Sequence, residues 1–289
     1  MQKPLSALFW ALMRRAARPY VAGPALADAL AVCRSIERQG IASTICCWNG
    51  DDSTAEDNLS RYLATVDAIA SAGGDCYLSV KAPDLQFSPK MLDRILERAV
   101  PPAVAIHFDS LGVDTADATF ALMRQCLPRH AGRYGCTIPG RWRRSLADAE
   151  QAVEAGLRVR VVKGQWADHS ETQLDPSEGF FDVVDRLVRV GARQVAVATH
   201  DPALLRTSLA RLRSAGIAAE AELLFGLPMR HALAVARAEG APVRLYVPYG
   251  TAWLPYAMTQ VRKNPRIAWW AFRDVCAGLS GFRGEDVHM

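Results

Sequence analysis

The segment RVRVVKG (158–164) places charged side chains on an otherwise apolar run. Side chains alternate between the two faces of a strand, so Arg160 and Val162 share one face and Lys163 lies on the other. An arginine that points into a protein interior is costly unless an anion or an electron-rich group pairs with it. Arg160 is therefore either a ligand contact or half of a structural salt bridge, and Gly164 would let a ligand approach the backbone closely.

A second polar strand end is VATHDP (197–202). Asp201 as the N-cap and Pro202 as the first helical residue explain the start of the following helix. Thr199 and His200 have no such structural explanation, so both are candidate ligand contacts. The N-terminus of the helix that follows them could hold a phosphate.

Polar side chains also end other apolar segments, although a packed core does not require them there. Two carboxylates among them, Asp109 and Glu222, are the candidate salt-bridge partners of Arg160. The polar strand-end residues outside the two segments above are Lys81, His107, Asp109, Glu222 and Tyr246.

Part of this set also fits a metal site. His107 and Asp109 lie two residues apart on one predicted strand, and His200 and Glu222 lie on later strands. Together they form a plausible nitrogen and oxygen ligand set for Zn²⁺ or Mn²⁺. Such a site would catalyse hydrolysis or isomerisation, and it would leave the cations of the 158–164 segment without a role.

The apolar segments alternate with stretches of helical period along the chain. This alternation is typical of parallel strands joined by crossover helices. Eight strands in 289 residues predict a (β/α)₈ barrel, in which active sites lie where the strands end. An open doubly wound sheet is the alternative, but no glycine-rich phosphate turn follows the first strand. The predicted strands are 41–48, 75–81, 103–109, 134–140, 158–164, 194–200, 218–226 and 243–250.

We expect a single barrel domain over 1–289, with an N-terminal helical extension at 1–35 and C-terminal helices at 251–289. Within 1–20, apolar residues at helical spacing precede a run of arginines. This pattern predicts either a helix that plugs one end of the barrel or a basic amphipathic helix that contacts a membrane surface. A secretory cleavage site and an apolar run of about 18 residues are both absent.

Charge and cysteine content narrow the functional class. The net charge is +4, from 34 Lys plus Arg against 30 Asp plus Glu, which is too weak to indicate a nucleic-acid partner. The seven cysteines are odd in number and form no Cys-x-x-Cys pair, so we expect reduced, mostly buried thiols in a cytoplasmic protein. Cys46 and Cys47 are neighbours on a strand and should face opposite ways.

Four segments, RVRVVKG, VAVATHDPALL, AELLFG and RLYVPYG, occur in an order and at distances that resemble the proline dehydrogenase family. YVAGPALADALAVCRSIERQGIASTICCWNG and YLSVKAPDL are similar to that family as well, so the resemblance covers roughly residues 20–275. It implies a distorted (β/α)₈ barrel that holds FAD at the strand ends. It also implies hydride removal from the carbon next to nitrogen in proline, with electrons passed to a quinone.

Several matched positions retain the residues of the family. The resemblance implies that Arg160 lies against the N5 edge of the flavin, where a fixed cation stabilises the charge that reduction puts on the ring. It also implies that Lys81 lies beneath the substrate and that Tyr246 packs on the substrate ring. The implied cofactor contacts are Arg160, Val162, Lys163, Gly164, Thr199, His200 and Glu222.

Other matched positions have changed. The two adjacent arginines that hold the substrate carboxylate in the family correspond to Thr259 and Gln260, and a tyrosine in the same helix corresponds to Leu254. Neutral groups are poor replacements for a bidentate arginine, so we do not expect free L-proline as the substrate. An aspartate that pairs with the strand-two lysine, and two glutamines, correspond to His107, Pro139 and Glu222.

The expected reaction is therefore oxidation of a C–N bond in a proline derivative, a carrier-bound amino acid or another amine, with a quinone or other electron acceptor. His107 could accept the amine proton because imidazole titrates near neutral pH, or it is a core histidine satisfied by Lys81 or a backbone group. A barrel that has lost its flavin and serves as a binding protein is a further alternative. For the location, the alternative to a purely cytoplasmic protein is one held at the inner face of the membrane by residues 1–20.

Overall fold

The computed structural model describes residues 22–50, 52–170 and 172–250. In these ranges strands and helices alternate as the sequence predicts. The strands are β1 (Ala42–Trp48), β2 (Cys76–Val80), β3 (Ala105–Phe108), β4 (Tyr134–Pro139), β5 (Arg158–Val162), β6 (Gln194–Ala198), β7 (Ala218–Leu224) and β8 (Val243–Gly250). The helices are α1 (Leu26–Glu37), α2 (Ala55–Ala72), α3 (Pro89–Ala99), α4 (Ala116–Cys126), α5 (Ser145–Glu154), α6 (Pro176–Arg189), α7 (Pro202–Ser214) and α8 (Arg230–Ala238).

The strands close into a barrel in chain order, from β1 to β8. Every neighbouring pair is parallel, including the closing pair of β1 and β8, which runs from Ala42 opposite Arg244 to Trp48 opposite Gly250. The prediction of a (β/α)₈ barrel is confirmed. Because all strands point the same way, their carboxyl ends meet at one face, which we call the mouth.

Local sequence signals fix where several helices begin. Ser88, Asp175 and Asp201 each cap a helix whose first residue is proline. The Asp201 carboxylate accepts hydrogen bonds from the backbone amides of Ala203 at 3.0 Å and Leu204 at 3.2 Å, as the capping pattern predicts. The starts of α3, α6 and α7 relative to the strand ends are therefore encoded locally.

The two faces of the strands have different chemistry. Outward side chains such as Ile45, Leu78 and Val159 are fully buried against the helices and form the hydrophobic core. The inward side chains are largely polar and charged. Cys47 belongs to the hydrophobic core, whereas Cys46 faces the charged interior, so the predicted split of this pair is confirmed.

Some predictions concern other parts of the chain. The helical extension predicted for 1–35 is represented by α1, while 1–21 and the C-terminal helices predicted for 251–289 lie outside the described residues. In the part of the chain that is described, no helix has both the length and the apolar character needed to cross a bilayer.

Candidate active site at the barrel mouth

Asp109, which follows β3, is the hub of a polar cluster at the mouth. Its Oδ1 accepts a hydrogen bond from Arg160 Nη1 at 2.8 Å. Its Oδ2 accepts one from the Tyr246 hydroxyl at 2.7 Å and a longer one from the Cys46 thiol at 3.5 Å. One carboxylate therefore holds side chains from β5, β8 and β1 in fixed positions.

Arg160 crosses the barrel interior between two carboxylates. Besides Asp109, its Nη2 lies 2.7 Å from Glu222 Oε1, and its guanidinium carbon lies 5.0 Å from the centre of the Tyr246 ring. The residue is only 4% exposed. Its Nε is buried and has no hydrogen-bond acceptor among the described residues. The Nη2 contact with Glu222 is an ion pair that does not meet hydrogen-bond geometry, so the Nε–H is the donor that faces neither carboxylate.

Lys81 reaches the same cluster from the end of β2. Its Nζ donates to the Cys47 carbonyl oxygen at 2.6 Å and to Cys46 Sγ at 3.1 Å. Burial opposes the charged form of Lys81, but Cys46, Asp109 and Asp84 outweigh burial and raise its pKa. Lys81 therefore remains an ammonium ion at any physiological pH.

The charge states of the other cluster members are also fixed by their surroundings. Burial opposes ionisation of Glu222, but Arg160 and then Arg158 outweigh it and lower its pKa to about 2. Burial raises the pKa of Cys46 to about 12 and raises the pKa of Tyr246 well above its usual range. The mouth therefore contains fixed charges and donors, and Lys81, Glu222, Cys46 and Tyr246 do not titrate near neutral pH.

His107 does not lie where the sequence comparison put it. β3 pairs with β2 so that His107 lies opposite Ser79, and Asp109 is two residues further toward the mouth, level with Lys81. The contact between Lys81 and Asp109 runs through the Cys46 thiol. The aspartate expected near the lysine is therefore present as Asp109, and it has not been replaced by His107.

His107 is also unsuited to accept the amine proton. It is fully buried, Arg158 Nη1 donates to its Nδ1 at 3.1 Å, and its Nε2 lies 3.0 Å from Thr137 Oγ1. Burial, followed by the charges of Arg160, Arg158 and Arg244, lowers its pKa well below the usual value. His107 is a neutral core histidine, satisfied by Thr137 and Arg158 and not by Lys81 or the backbone.

The metal-site alternative is not supported by this geometry. Each of its four candidate ligands has another partner: Asp109 and Glu222 pair with Arg160, His107 contacts Thr137, and His200 contacts the Pro228 carbonyl oxygen. Within the described ranges, no group of three or more His, Cys, Asp and Glu side chains is placed to share a metal ion.

The predicted cofactor residues on β5 and β6 differ in availability. Lys163 forms a loose ion pair with Asp201 at 3.4 Å, and its side chain is 39% exposed at the rim. Thr199 Oγ1 accepts the backbone amide of Asp201 at 3.2 Å. Val162 is half-buried beside them. Lys163 is therefore the member of this group with a charge accessible to a ligand.

His200 and Gly164 have structural roles. The Nε2 of His200 accepts the backbone amide of Leu224 at 2.9 Å, and its Nδ1 lies 3.1 Å from the Pro228 carbonyl oxygen. Gly164 has a φ of +92°, and a Cβ there would lie 2.8 Å from that of Pro139. Both ring nitrogens of His200 are thus engaged by the protein, and the space that a Gly164 side chain would need is occupied by Pro139 and Arg141.

The remaining predicted substrate contacts, Leu254, Thr259 and Gln260, lie outside the described residues. Tyr246 is described and is half-buried at the mouth.

Similarity to known proteins agrees with the fold. Several curated proteins match most of the chain. Proline dehydrogenase 1 of Bacillus subtilis subsp. natto is 26% identical over 268 residues, which are 87% of this chain and 88% of the relative. Proline dehydrogenase of Deinococcus radiodurans is 24% identical over 279 residues, which are 90% of this chain and 88% of the relative. The chain is a divergent relative of the proline dehydrogenases. No model of a known protein family matches the chain.

Solved structures show the same relationship at the level of the fold. Proline utilization A from Bdellovibrio bacteriovorus, inactivated by N-propargylglycine, superposes with a TM-score of 0.73 at 16% identity over 86% of this chain. Proline utilization A from Corynebacterium freiburgense gives 0.73 at 17% identity over 93%. This chain spans 33% of each of those longer chains.

Sequence reasoning missed several residues of this divergent proline dehydrogenase relative. The central role of Asp109 and the participation of Cys46 depend on the register of β1, β2 and β3, which no single segment reveals. A second charged layer, made by Arg158, Glu220 and Arg244, lies deeper in the barrel. The sequence could have indicated this layer through the alternating patterns RVR (158–160), EAE (220–222) and RLY (244–246). In each pattern the first residue belongs to the deeper layer and the third to the mouth, because side chains two apart on a strand share a face.

Proposed function

We propose that the chain is an FAD-dependent oxidoreductase that oxidises a CH–NH group. The observation that carries the proposal is the cluster of Arg160, Asp109, Tyr246 and Lys81 at the carboxyl ends of four different strands. Active sites of (β/α)₈ barrels are built in this position from several strands. The similarity to proline dehydrogenases over most of the chain supports the same reaction class.

The residues present at the mouth fit a flavin. The buried Nε of Arg160 is a donor without an acceptor, and a hydrogen-bond acceptor on a ligand ring would satisfy it. Lys163, exposed at the rim, suits a phosphate group of the same ligand. FAD bound there would accept a hydride from the carbon next to the amine nitrogen of the substrate.

The same cluster favours an amine that arrives without its proton. Lys81 and Tyr246 keep their protons across physiological pH, and Glu222 is committed to Arg160 and Arg158. None of these groups serves as a general base, and the Lys81 ammonium ion disfavours a second cation beside it. The half-buried Tyr246 ring offers the substrate an aromatic face.

The substrate proposed is a proline-like compound or other amine in which the carboxylate is masked, as in an amide or a carrier-bound thioester. The replacement of the two family arginines by Thr259 and Gln260 supports a masked carboxylate. Both side chains can donate a hydrogen bond to a carbonyl oxygen, and neither leaves a buried cation unpaired. A quinone or another acceptor would reoxidise the enzyme. A cytoplasmic location, with contact to the inner face of the membrane through 1–20, belongs to the same proposal.

The test is anaerobic mixing of the flavin-loaded protein with L-proline and, separately, with L-prolinamide, while flavin absorbance is recorded. The proposal predicts bleaching by the amide that is faster by about a hundredfold or more at equal concentration, because a lost charge-assisted pair costs several kcal/mol. Fast bleaching by micromolar free proline would refute the masked-carboxylate substrate but retain the flavoenzyme. Absence of bleaching by any amine would refute the reaction class.

A further inference from the structure

A cavity of about 300 Å³ lies at the end of the barrel opposite the mouth. Its walls come from α1, from the amino ends of β1 and β2, and from the turn before β8. Two cysteines, Cys33 of α1 and Cys76 of β2, line it together with Arg34 and Ser43. We call it the floor cavity, and it is separate from the polar cluster described above.

The two thiols of the floor cavity open on the same space. Cys33 of α1 and Cys76 of β2 both line the cavity together with Ser43, and each thiol shifts the pKa of the other. Ser43 and Cys76 are neighbours in the register of β1 and β2. A disulfide between Cys33 and Cys76 would tie α1 to β2 at the edge of the hydrophobic core, where both residues line the cavity.

Exposure distinguishes this pair from the other described cysteines. Cys33 and Cys76 are 9% and 8% exposed where they meet the cavity, whereas the remaining described thiols are at most 2% exposed. Those others, in the hydrophobic core or the barrel interior, are Cys46, Cys47, Cys126 and Cys136. A small solute that enters the floor cavity therefore meets two adjacent thiols.

The surroundings also make the two thiols unequal. The neighbouring Cys76 thiol lowers the pKa of Cys33, and Ser43 and Arg34 lower it further, although burial acts in the opposite direction. The interaction with Cys33 and burial raise the pKa of Cys76. Burial likewise raises the pKa of Cys126. Since the thiolate is the reactive form, these surroundings, with Arg34 in the same cavity wall, favour Cys33 as the nucleophile and Cys76 as its partner thiol.

We propose that Cys33 and Cys76 form a dithiol site of reversible oxidation by hydroperoxides in the floor cavity. The Cys33 thiolate attacks one peroxide oxygen, the O–O bond breaks, and hydroxide (or alkoxide) leaves, giving Cys33 sulfenic acid. The Cys76 sulfur then attacks the Cys33 sulfur, the S–O bond breaks, and the hydroxyl leaves with the thiol proton as water. A thiol reductant returns both cysteines to thiols by exchange through a mixed disulfide.

The first experiment uses the full wild-type chain. The protein is reduced, freed of reductant, treated with hydrogen peroxide at a small molar excess, alkylated and digested with trypsin. The sequence separates the relevant cysteines, since Cys33 falls in 16–34 and Cys76 in 62–81. We expect a linked pair of these two peptides, lighter than their sum by two hydrogen atoms and absent after reduction. If both peptides are recovered fully alkylated while free cysteine in the same tube is oxidised, the proposal is wrong.

The second experiment separates the two roles. In a Cys76→Ser variant the Cys33 sulfenic acid should persist and react with dimedone, whereas a Cys33→Ser variant should show no dimedone adduct on Cys76. A Cys126→Ser variant, which removes a buried thiol outside the cavity, should form the linked peptides as the wild type does. Labelling of Cys33 about tenfold faster than Cys126 is expected from their exposure and ionisation. Equal rates, or loss of the linked peptides in Cys126→Ser, would overturn the assignment; circular dichroism spectra verify that each variant is folded.

Discussion

The interior of the barrel contains two charged layers built from the same residue types, and they differ in whether every donor is used. The floor layer consists of Tyr77, Arg158, Glu220 and Arg244. Glu220 Oε1 accepts from Arg158 Nε and from Arg244 Nε, each at 3.0 Å. The guanidinium carbons of Arg158 and Arg244 lie 4.8 Å and 3.9 Å from the centre of the Tyr77 ring.

The mouth layer consists of Lys81, Asp109, Arg160, Glu222 and Tyr246. It repeats the arginine, carboxylate and tyrosine of the floor layer but leaves the Arg160 Nε without an acceptor. Buried donors normally find partners. No guanidinium nitrogen of Arg158 or Arg244 in the floor layer is without a partner among the described residues, whereas the proposed flavin would supply the partner that the mouth layer lacks. The unfilled hydrogen bond of Arg160 therefore distinguishes two layers that are alike in composition and in the burial of their arginines.

The largest expected effect falls on the floor layer. Glu220→Gln should lower the free energy of unfolding by about 3 kcal/mol or more, because it leaves two buried guanidinium groups short of a counter-charge. Flavin binding per folded molecule should be unchanged. Urea unfolding measures the loss, and Glu97→Gln on the exposed face of α3 is the matched control, with an expected change within about 0.5 kcal/mol.

A floor variant that keeps full stability but loses flavin would break the comparison, since it would give the floor layer the role assigned to the mouth layer.

Acid should act on the mouth layer through Glu222. Its pKa in the folded protein, about 2, lies below its ordinary value of 4.5, so its contribution to stability is complete above pH 4.5 and is lost as the pH falls toward 2. The contribution amounts to roughly 3 kcal/mol. Urea midpoints between pH 6 and pH 3 should fall more steeply in the wild type than in Glu222→Gln. Parallel curves for the two proteins would show that Glu222 is not held ionised by Arg160 and Arg158.

Arg160→Lys keeps the charge but removes the planar set of donors. We expect flavin reduction by substrate to slow about a hundredfold, which is typical for loss of a donor that stabilises developing charge. Stopped-flow absorbance measures the rate. Arg143→Lys, at an exposed position beyond β4, should reduce flavin at the wild-type rate. A wild-type rate in Arg160→Lys would remove Arg160 from the reaction.

The smallest effect is expected at Tyr246, where the hydroxyl and the ring have separate roles. Tyr246→Phe loses only the hydrogen bond to Asp109 and should bind substrate nearly as well as the wild type. Tyr246→Ala also loses the ring and should weaken binding by about 1–2 kcal/mol, close to tenfold in Kd. Flavin-based titrations compare the two. Equal affinities in all three proteins would place Tyr246 in the core and not in the substrate site.

The sequence predicted the fold because the alternation of strands and helices is local information and parallel strands impose a common mouth. It predicted Asp109 and Glu222 as alternative partners of Arg160, and the structure pairs Arg160 with both. It misplaced His107 because position relative to Lys81 depends on the register between β2 and β3.

Other features required three dimensions. The contact of Cys46 with Lys81 and Asp109 joins three strands, and the double engagement of His200 depends on the loop after β7. The charged residues of the floor layer stand in the sequence two positions before Arg160, Glu222 and Tyr246. Only the closed barrel shows that they are buried, which distinguishes them from solvated charges.

The most direct test of the account is the flavin content of the purified full-length protein, measured by its visible spectrum after incubation with FAD and removal of the excess. The account predicts an absorption band near ~450 nm with about one flavin per chain, because the proposed flavin supplies the acceptor that the Arg160 Nε lacks among the described residues. A folded protein that remains colourless under these conditions would contradict the account.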